Sequence, residues 1–175
     1  MECSDVAFDF GRGGWNVIEV RAILPGEGPL LLGPTREIAK THWGSEAATI
    51  AKPFDYENAI FCDHPIVGAQ LAFVGGQFAG SAFWHRSFST NLGQEIMYLE
   101  DIAVLPDYRR KGVAEALLKA IAKLAIERGY PKIYWLMLGW NTEARKLYEG
   151  VGAEVENDNC YCSLQGRALI ELASR

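Results

Sequence analysis

Arg109, Arg110 and Lys111 stand directly before Gly112-Val113-Ala114, where an apolar-striped helix begins, and that combination is suited to anions. A helix N-terminus exposes backbone N–H groups that lack intrahelical acceptors, together with a partial positive charge. Gly112 lets the backbone approach an anion closely, Ala114 keeps the next position small, and three cationic side chains gather at the same spot. The expected ligand group is a pyrophosphate; the plainer alternative is a solvated basic helix start. The stretch is not GxxxxGK[ST], and no GxGxxG is present, which counts against kinases, ATPases and dinucleotide-dependent enzymes. Just upstream, Glu100 and Asp101 interrupt the apolar run Ile96-Met97-Tyr98-Leu99 and Ile102-Ala103-Val104. A carboxyl group held among apolar neighbours is a candidate proton acceptor, because partial burial raises its pKa. The alternative for each is a structural carboxylate paired with a nearby Arg or Lys.

These residues need elements to hold them. The run Glu95 to Val104 is apolar on both alternating faces, as in a central strand covered on both sides. Leu105-Pro106-Asp107-Tyr108 makes a turn, and the helix after it extends to about Arg128. Val113, Leu117, Ile121 and Leu124 form its core stripe, and Glu115, Lys119, Lys123 and Glu127 its polar one. Gly129 and Pro131 stop it. Lys132 to Leu138 reads as an apolar strand, Thr142 to Glu149 as a short helix followed by Gly150 and Gly152, and the tail from Cys160 as one or two final strands. Towards the N-terminus, residues 1–14 read as a loose arm or an added strand. Asn16 to Leu24 is a strand ended by the Pro25/Gly26 and Gly28/Pro29 breakers, and Thr35 caps a helix running to about Ile50. Ala69 to Val74 and Phe78 to His85 are two strands joined by Gly75-Gly76, a two-residue hairpin signal. No repeat or linker divides the chain, so the expectation is one domain over residues 1–175.

Arg109-x-x-Gly112-x-Ala114 followed by Asn141-x-x-Ala144-x-x-x-Tyr148-x-x-x-Gly152-Ala153 resembles the GNAT superfamily of N-acetyltransferases, over about residues 15–172. More narrowly, Tyr98-Leu99-Glu100-Asp101-Ile102-Ala103-Val104, Asp107-Tyr108-Arg109 and Trp140-Asn141 look like its diamine (spermidine/spermine and thialysine) acetyltransferase branch. The resemblance implies an α/β fold with a mixed, mostly antiparallel central sheet flanked by helices and splayed open between the Glu95 to Val104 and Lys132 to Leu138 strands. Acetyl-CoA, the implied cosubstrate, would lie in that gap. Backbone groups of Ile102, Ala103 and Val104 would hold its pantetheine arm and thioester, and Arg109, Arg110, Lys111, Gly112, Val113, Ala114 and Glu115 would surround its pyrophosphate. Asn141 and Ala144 would complete the cofactor side, and Tyr134, Trp135 and Leu136 would border the acceptor. The implied reaction is transfer of acetyl to a primary amine of a small molecule by direct attack in a ternary complex.

That chemistry needs a base, since an alkylamine with a pKa of about 10 is almost wholly protonated at neutral pH. Glu100 is the first candidate, acting directly or through a water. Asp101 points to the opposite face of a regular strand and is the second candidate, suited to contacting a cationic substrate; one bulge would exchange the two. Coenzyme A leaves as a thiolate, and Tyr148 is the matching phenol to donate a proton to it. A backbone N–H from the Ile102 to Val104 stretch would stabilise the oxyanion. The alternative for Tyr148 is a half-buried helix tyrosine packing on the sheet.

The remaining signals mostly exclude. A net charge of −5 argues against nucleic acid or an anionic membrane surface as partner. No apolar run approaches a membrane span, and Met-Glu-Cys-Ser-Asp does not begin a secretory signal, so a cytoplasmic protein is expected. Cys3, Cys62, Cys160 and Cys162 lack zinc spacing and read as reduced thiols, with Cys160 and Cys162 partly buried on one face of a strand. His42, His64 and His85 are too scattered to hold a metal, so no metal is expected. Trp43, Trp84, Trp135 and Trp140 read as core more readily than as groove lining. The segment Thr41-His42-Trp43-Gly44-Ser45-Glu46 keeps one acid where the diamine branch carries several, which counts against a long polycation and leaves a shorter amine, an amino-acid side chain such as thialysine or lysine, or an aminoglycoside-like acceptor open. A protein or peptide acceptor and a non-catalytic acyl-CoA-binding module are the competing readings. The branch commonly pairs its C-terminal strands, so a homodimer is the default.

Overall fold

The computed structural model describes residues 6–8, 17–158 and 162–174. Residues Met1–Leu136 and Met137–Arg175 form two compact units, taken in turn.

The first unit is built on a six-stranded sheet whose order follows the chain: β1 (Val6–Phe8), β2 (Ile18–Ala22), β3 (Val67–Val74), β4 (Gln77–Ser89), β5 (Gln94–Val104) and β6 (Ile133–Tyr134). Neighbours are antiparallel except β5 and β6, which are parallel. The mixed, mostly antiparallel sheet expected from the sequence is therefore present. Gly75 and Gly76, both with positive φ, close the β3–β4 hairpin as a two-residue turn of this hand requires. The N-terminal segment contributes β1 as an added strand; the rest of residues 1–14 lies outside the described residues, apart from that strand.

Helix α3 (Val113–Glu127) crosses one face of the sheet against β2 to β5. Its buried side, Val113, Ala116, Leu117, Ala120, Ile121 and Ala125, follows helical periodicity, and full burial of Leu117 or Ile121 is worth about 2 kcal/mol each. On this face Trp84 fills the space left by Gly68, where a Cβ would meet the indole at 2.5 Å. The Arg128 guanidinium covers the same ring at 4.6 Å. Helices α1 (Gly28–Trp43) and α2 (Pro53–Phe61) cover the other face, where Ile23, Leu31, Tyr56, Ile60, Ala69 and Leu71 make one core.

Helix α1 starts seven residues before Thr35. Gly28-Pro29 was expected to break the chain, but proline is tolerated in a helix's first turn, where its missing N–H has no intrahelical partner anyway. Thr35 lies inside the helix, its hydroxyl donating to Leu31 O at 2.9 Å. The helix stops at Trp43 rather than near Ile50, because Gly44 turns left-handed and donates its N–H to Lys40 O. Helix α2 was not foreseen. Pro53 opens it, and Asp55 accepts the Lys52 N–H at 2.7 Å. Glu57 of α2 then accepts the N–H of Gly28 at 2.6 Å and pins the start of α1.

In the second unit, α4 (Thr142–Gly150) matches expectation, but the tail does not. Gly166–Ala173 is a helix, α5, and residues 162–165 carry no strand. Leu169 and Leu172 of that tail stand three residues apart, as on one face of a helix. Cys162 is exposed rather than partly buried, and Cys160 lies outside the described residues.

Candidate active site

Strand β5 changes character along its length. Ile96, Met97 and Leu99 are buried, and the strand is flanked by β4 on one edge and β6 on the other. The β6 pairing consists of Met97 with Ile133 and Tyr98 with Tyr134, and it goes no further. The expected strand from Lys132 to Leu138 is shortened to these two residues because the chain turns away after Tyr134. Ile102, Ala103 and Val104 are left half-exposed, paired to β4 alone among the described strands. Opposite them, Gly80 keeps β4 close, since a Cβ there would collide with Ala103 O.

A bulge separates the two halves. Phe83 pairs with Asp101 while Trp84 pairs with Leu99, so Glu100 is the extra residue. Without it, Glu100 would stand opposite Phe83 in the same row as Tyr98; with it, Asp101 takes that place. Both acids are thereby gathered at one side. Glu100 is 54% exposed in its side chain and lies 3.5 Å from His85 Nε2. Asp101 is half-buried, and its pKa is pushed up to about 6, first by burial and second by the negative charge of Glu100. Beside them, Tyr98 stacks on His85 at 4.9 Å and meets Tyr134 edge-on at 4.7 Å. The Tyr134 hydroxyl lies 3.2 Å from Ser87 Oγ. Trp135 is half-buried and Leu136 exposed, next in sequence to this cluster.

Strand β5 leads through one short turn to the N-terminus of α3. Arg110 is the one non-glycine residue with positive φ among those described, at 61°, and Gly112 follows at 82°. Left-handed residues alternating with ordinary ones gather N–H groups into a concavity that suits anions. The first helical bond runs from Ala116 N to Gly112 O at 3.0 Å, and no side chain caps the helix. The N–H groups of Val113, Ala114 and Glu115 precede that bond and have no acceptor within the helix. Gly112 is required for its backbone angle, since an added Cβ would meet only Ile18 Cδ1, at 3.7 Å.

The side chains here divide in use. Val113 is 1% exposed, so it can offer a ligand its backbone alone. Arg109 donates from Nε to Val104 O at 3.0 Å and pairs with Glu37 of α1 at 2.6 Å, bracing the end of β5. Lys111 Nζ lies 5.6 Å over the Tyr108 ring, and Glu115 pairs with Lys119 at 2.8 Å.

In the second unit, Asn141 is the N-cap of α4, its side-chain oxygen accepting the Ala144 N–H at 3.0 Å. At the other end Gly152 is left-handed, Ala153 N donates to Tyr148 O at 2.9 Å and Gly152 N to Glu149 O at 3.0 Å. This is a Schellman closure. Four of the residues that define the second sequence motif, Asn141, Ala144, Gly152 and Ala153, thus have a capping role in the helix that carries Tyr148. Tyr148 itself is buried.

A family model, the acetyltransferase (GNAT) family, matches residues 35–153, which include both motifs and the bulged strand. The chain belongs to the GNAT family. It is similar to the L-ornithine N5-acetyltransferase of Arabidopsis thaliana, at 36% identity over 52% of this chain and 40% of that one. It is equally similar to the thialysine N-epsilon-acetyltransferase of Bos taurus, at 36% identity over 55% and 58% of the two chains. The matched stretches thus span about half the length of these curated relatives. Among solved structures, an integron cassette protein from the mobile metagenome of V. cholerae shares the fold with a TM-score of 0.72 at 24% identity, covering 90% of this chain and 98% of that one. An aminoglycoside acetyltransferase, AAC(6')-Iy, in complex with a CoA-acetylneamine bisubstrate analog, shares it at 0.66 and 20% identity, over 85% and 99%.

His85 and Gly80 lie beside the candidate site of this GNAT chain; from sequence His85 was weighed only as a metal ligand and Gly80 not at all. Nothing in their spacing shows that a bulge brings Glu100 to His85, or that Ala103 O needs the room left by a glycine. Trp84 is core, whereas Trp43 and Trp140 are exposed. Among the described residues, no group of three or more His, Cys, Asp or Glu side chains could hold a metal ion, and no helix is long and apolar enough to cross a membrane.

Proposed function

We propose that this chain is an acetyl-CoA-dependent N-acetyltransferase for a small, cationic primary amine. The observation that carries the reading is the continuous run from a strand edge left by β6, at Ile102 to Val104, into an uncapped helix N-terminus at Gly112. An extended thioester arm needs backbone hydrogen-bonding groups and its pyrophosphate needs free N–H donors, and this run offers both in sequence order. Acetyl-CoA, when bound, supplies the thioester carbon that the amine attacks. The backbone of Ile102, Ala103 and Val104 holds the arm and steadies charge on the carbonyl oxygen. Arg110, Lys111 and the N–H groups from Gly112 to Glu115 hold the pyrophosphate, with Arg109 bracing the turn through Glu37.

The amine must lose a proton before its lone pair can form the new N–C bond. Of the two carboxylates, Asp101 is the better base: a group with a pKa of about 6 is mostly ionised at pH 7 yet holds a proton more strongly than an ordinary carboxylate. Glu100, more exposed, takes the ammonium of the incoming acceptor. As the C–S bond breaks, the electron pair leaves on sulfur and the phenol of Tyr148 supplies a proton to it. Direct attack needs both substrates bound together, and Tyr134, Trp135 and Leu136 border the acceptor. The scarcity of acids around Glu46, itself paired with Lys40 at 3.4 Å, favours a short amine of the thialysine or ornithine kind over a long polyamine. The exposed, unpaired thiols of Cys62 and Cys162 suit a reducing, cytoplasmic setting, and the exposed Leu169, Ile170 and Leu172 of α5 suit a homodimer, to be checked by sedimentation.

The test is free-thiol release from acetyl-CoA with thialysine, ornithine, putrescine, spermidine, an aminoglycoside and a short peptide. Turnover with a short amine is expected, with kcat/KM falling as pH drops through about 6, because protonated Asp101 cannot accept a proton. Asp101→Asn should remove that acidic limb and lower kcat by at least about 100-fold. Turnover on the peptide alone would replace this reading with a protein acetyltransferase, and binding of acetyl-CoA with no turnover would leave a non-catalytic module.

A further inference from the structure

His85 is held more firmly than a surface histidine on a strand needs to be. Its Nδ1 lies 2.8 Å from Arg86 O, and since a carbonyl oxygen only accepts, Nδ1 carries the hydrogen. Tyr98 stacks on the ring at 4.9 Å, and Tyr98 is itself backed by Tyr134. Ring rotation is thus fixed, and the other nitrogen, Nε2, lies 3.5 Å from Glu100 Oε2, where it holds the carboxylate as a donor when both ring nitrogens carry hydrogen, since a carboxylate oxygen only accepts. Glu100 is the extra residue of the β4–β5 bulge, so no residue stands opposite it in the ladder to order its side chain. Arg86, the neighbouring cation on β4, is turned to Glu95 at 3.5 Å.

We propose that His85 is a positioning residue for the acceptor: it restrains the Glu100 carboxylate so that this group meets the ammonium of the incoming amine. The inference rests on the acetyltransferase reading above. A flexible exposed carboxylate loses rotamer freedom when it captures a cation, and a carboxylate already restrained by an imidazole loses less. His85 therefore acts on amine binding and leaves acetyl-CoA binding and the transfer step alone.

Steady-state kinetics with thialysine and putrescine test this through His85→Phe, which keeps the ring stacked on Tyr98 and removes both nitrogens, and His85→Gln, which keeps a polar amide near the Nε2 position. His85→Phe should raise KM for the amine about ten-fold, the usual size of one lost charge-assisted contact, while KM for acetyl-CoA and kcat stay within about two-fold. His85→Gln should recover most of the loss. The double variant with Glu100→Gln should be no worse than Glu100→Gln alone, because the two side chains act as one unit. An unchanged amine KM in His85→Phe, or losses that multiply in the double variant, would overturn the proposal. A second readout does not depend on turnover: in protein labelled with 15N-histidine, the His85 Nε2 resonance should shift on Glu100→Gln and on adding thialysine. A resonance that ignores both overturns the positioning role alone, whereas wild-type protein that acetylates no amine overturns the parent reading.

Discussion

Helices α3 and α4 both begin at motifs that resemble cofactor-binding sequence, yet their N-termini are built in opposite ways. At α3 the residue before the helix is a left-handed glycine with no side chain to offer, and the first N–H groups wait for an outside acceptor. At α4 Asn141 turns its own side-chain oxygen onto Ala144 N and closes the end. An open terminus can bind an anion; a capped one has already spent a donor on itself. The lesson is that a motif match marks residues the fold depends on without saying whether they face a ligand or hold a helix. For α4 the structure favours the second, and the residue of that helix proposed for the chemistry is the buried Tyr148.

If α4 contributes through its phenol, Tyr148→Phe should lower kcat by roughly 100-fold or more, as loss of a general acid does, while acetyl-CoA affinity changes little. Equal losses in kcat and in acetyl-CoA binding would return α4 to the cofactor side. Next, Gly112→Val forces a β-branched residue into the left-handed region and rebuilds the open terminus. We expect acetyl-CoA affinity, measured by calorimetry, to drop by about 30-fold. Normal binding would show that the pyrophosphate lies elsewhere. The smallest effect sharpens the contrast: Asn141→Ala should cost about 1 kcal/mol in denaturant unfolding, the typical value of an N-cap, and leave acetyl-CoA affinity within about two-fold.

Asp101 supplies a test of stability as well as activity. Its folded-state pKa is raised above the usual 3.8, so between about pH 4 and 6 the folded protein binds more protons than the unfolded chain. Stability therefore falls as pH rises through that window, and at pH 7 the ionised carboxylate is a net cost of order 3 kcal/mol. Asp101→Asn should be more stable than wild type at pH 7 and nearly equal to it at pH 4 in urea titrations. A group kept at a cost to stability is what a functional role would demand.

The elements legible in sequence were those whose signals are local. The β3–β4 hairpin was carried by Gly75-Gly76, α3 by its apolar stripe and α4 by Asn141 and Gly152 at its two ends. The misreadings also have local causes. Gly28-Pro29 can stop a helix or start one, and only Glu57, reaching from α2 to the Gly28 N–H, selects the start. The tail from Cys160, expected to form strands, has a helix at Gly166–Ala173, and its short apolar run fits either period.

The chain alone determined the family-level pattern: a strand bearing adjacent acids, a basic glycine turn, a helix with one tyrosine. Those depend on residue type and short spacing. What only the tertiary structure decided is which acid stands in the row of Tyr98, because a one-residue bulge is set by pairing across to Phe83 and Trp84 and leaves no mark in β5 itself. The same pairing brought Glu100 to His85. The splay beside Ile102 to Val104 was implied by the family resemblance, but where it starts, after Tyr134, is set by where β5 and β6 diverge in space, which no run of apolar residues records.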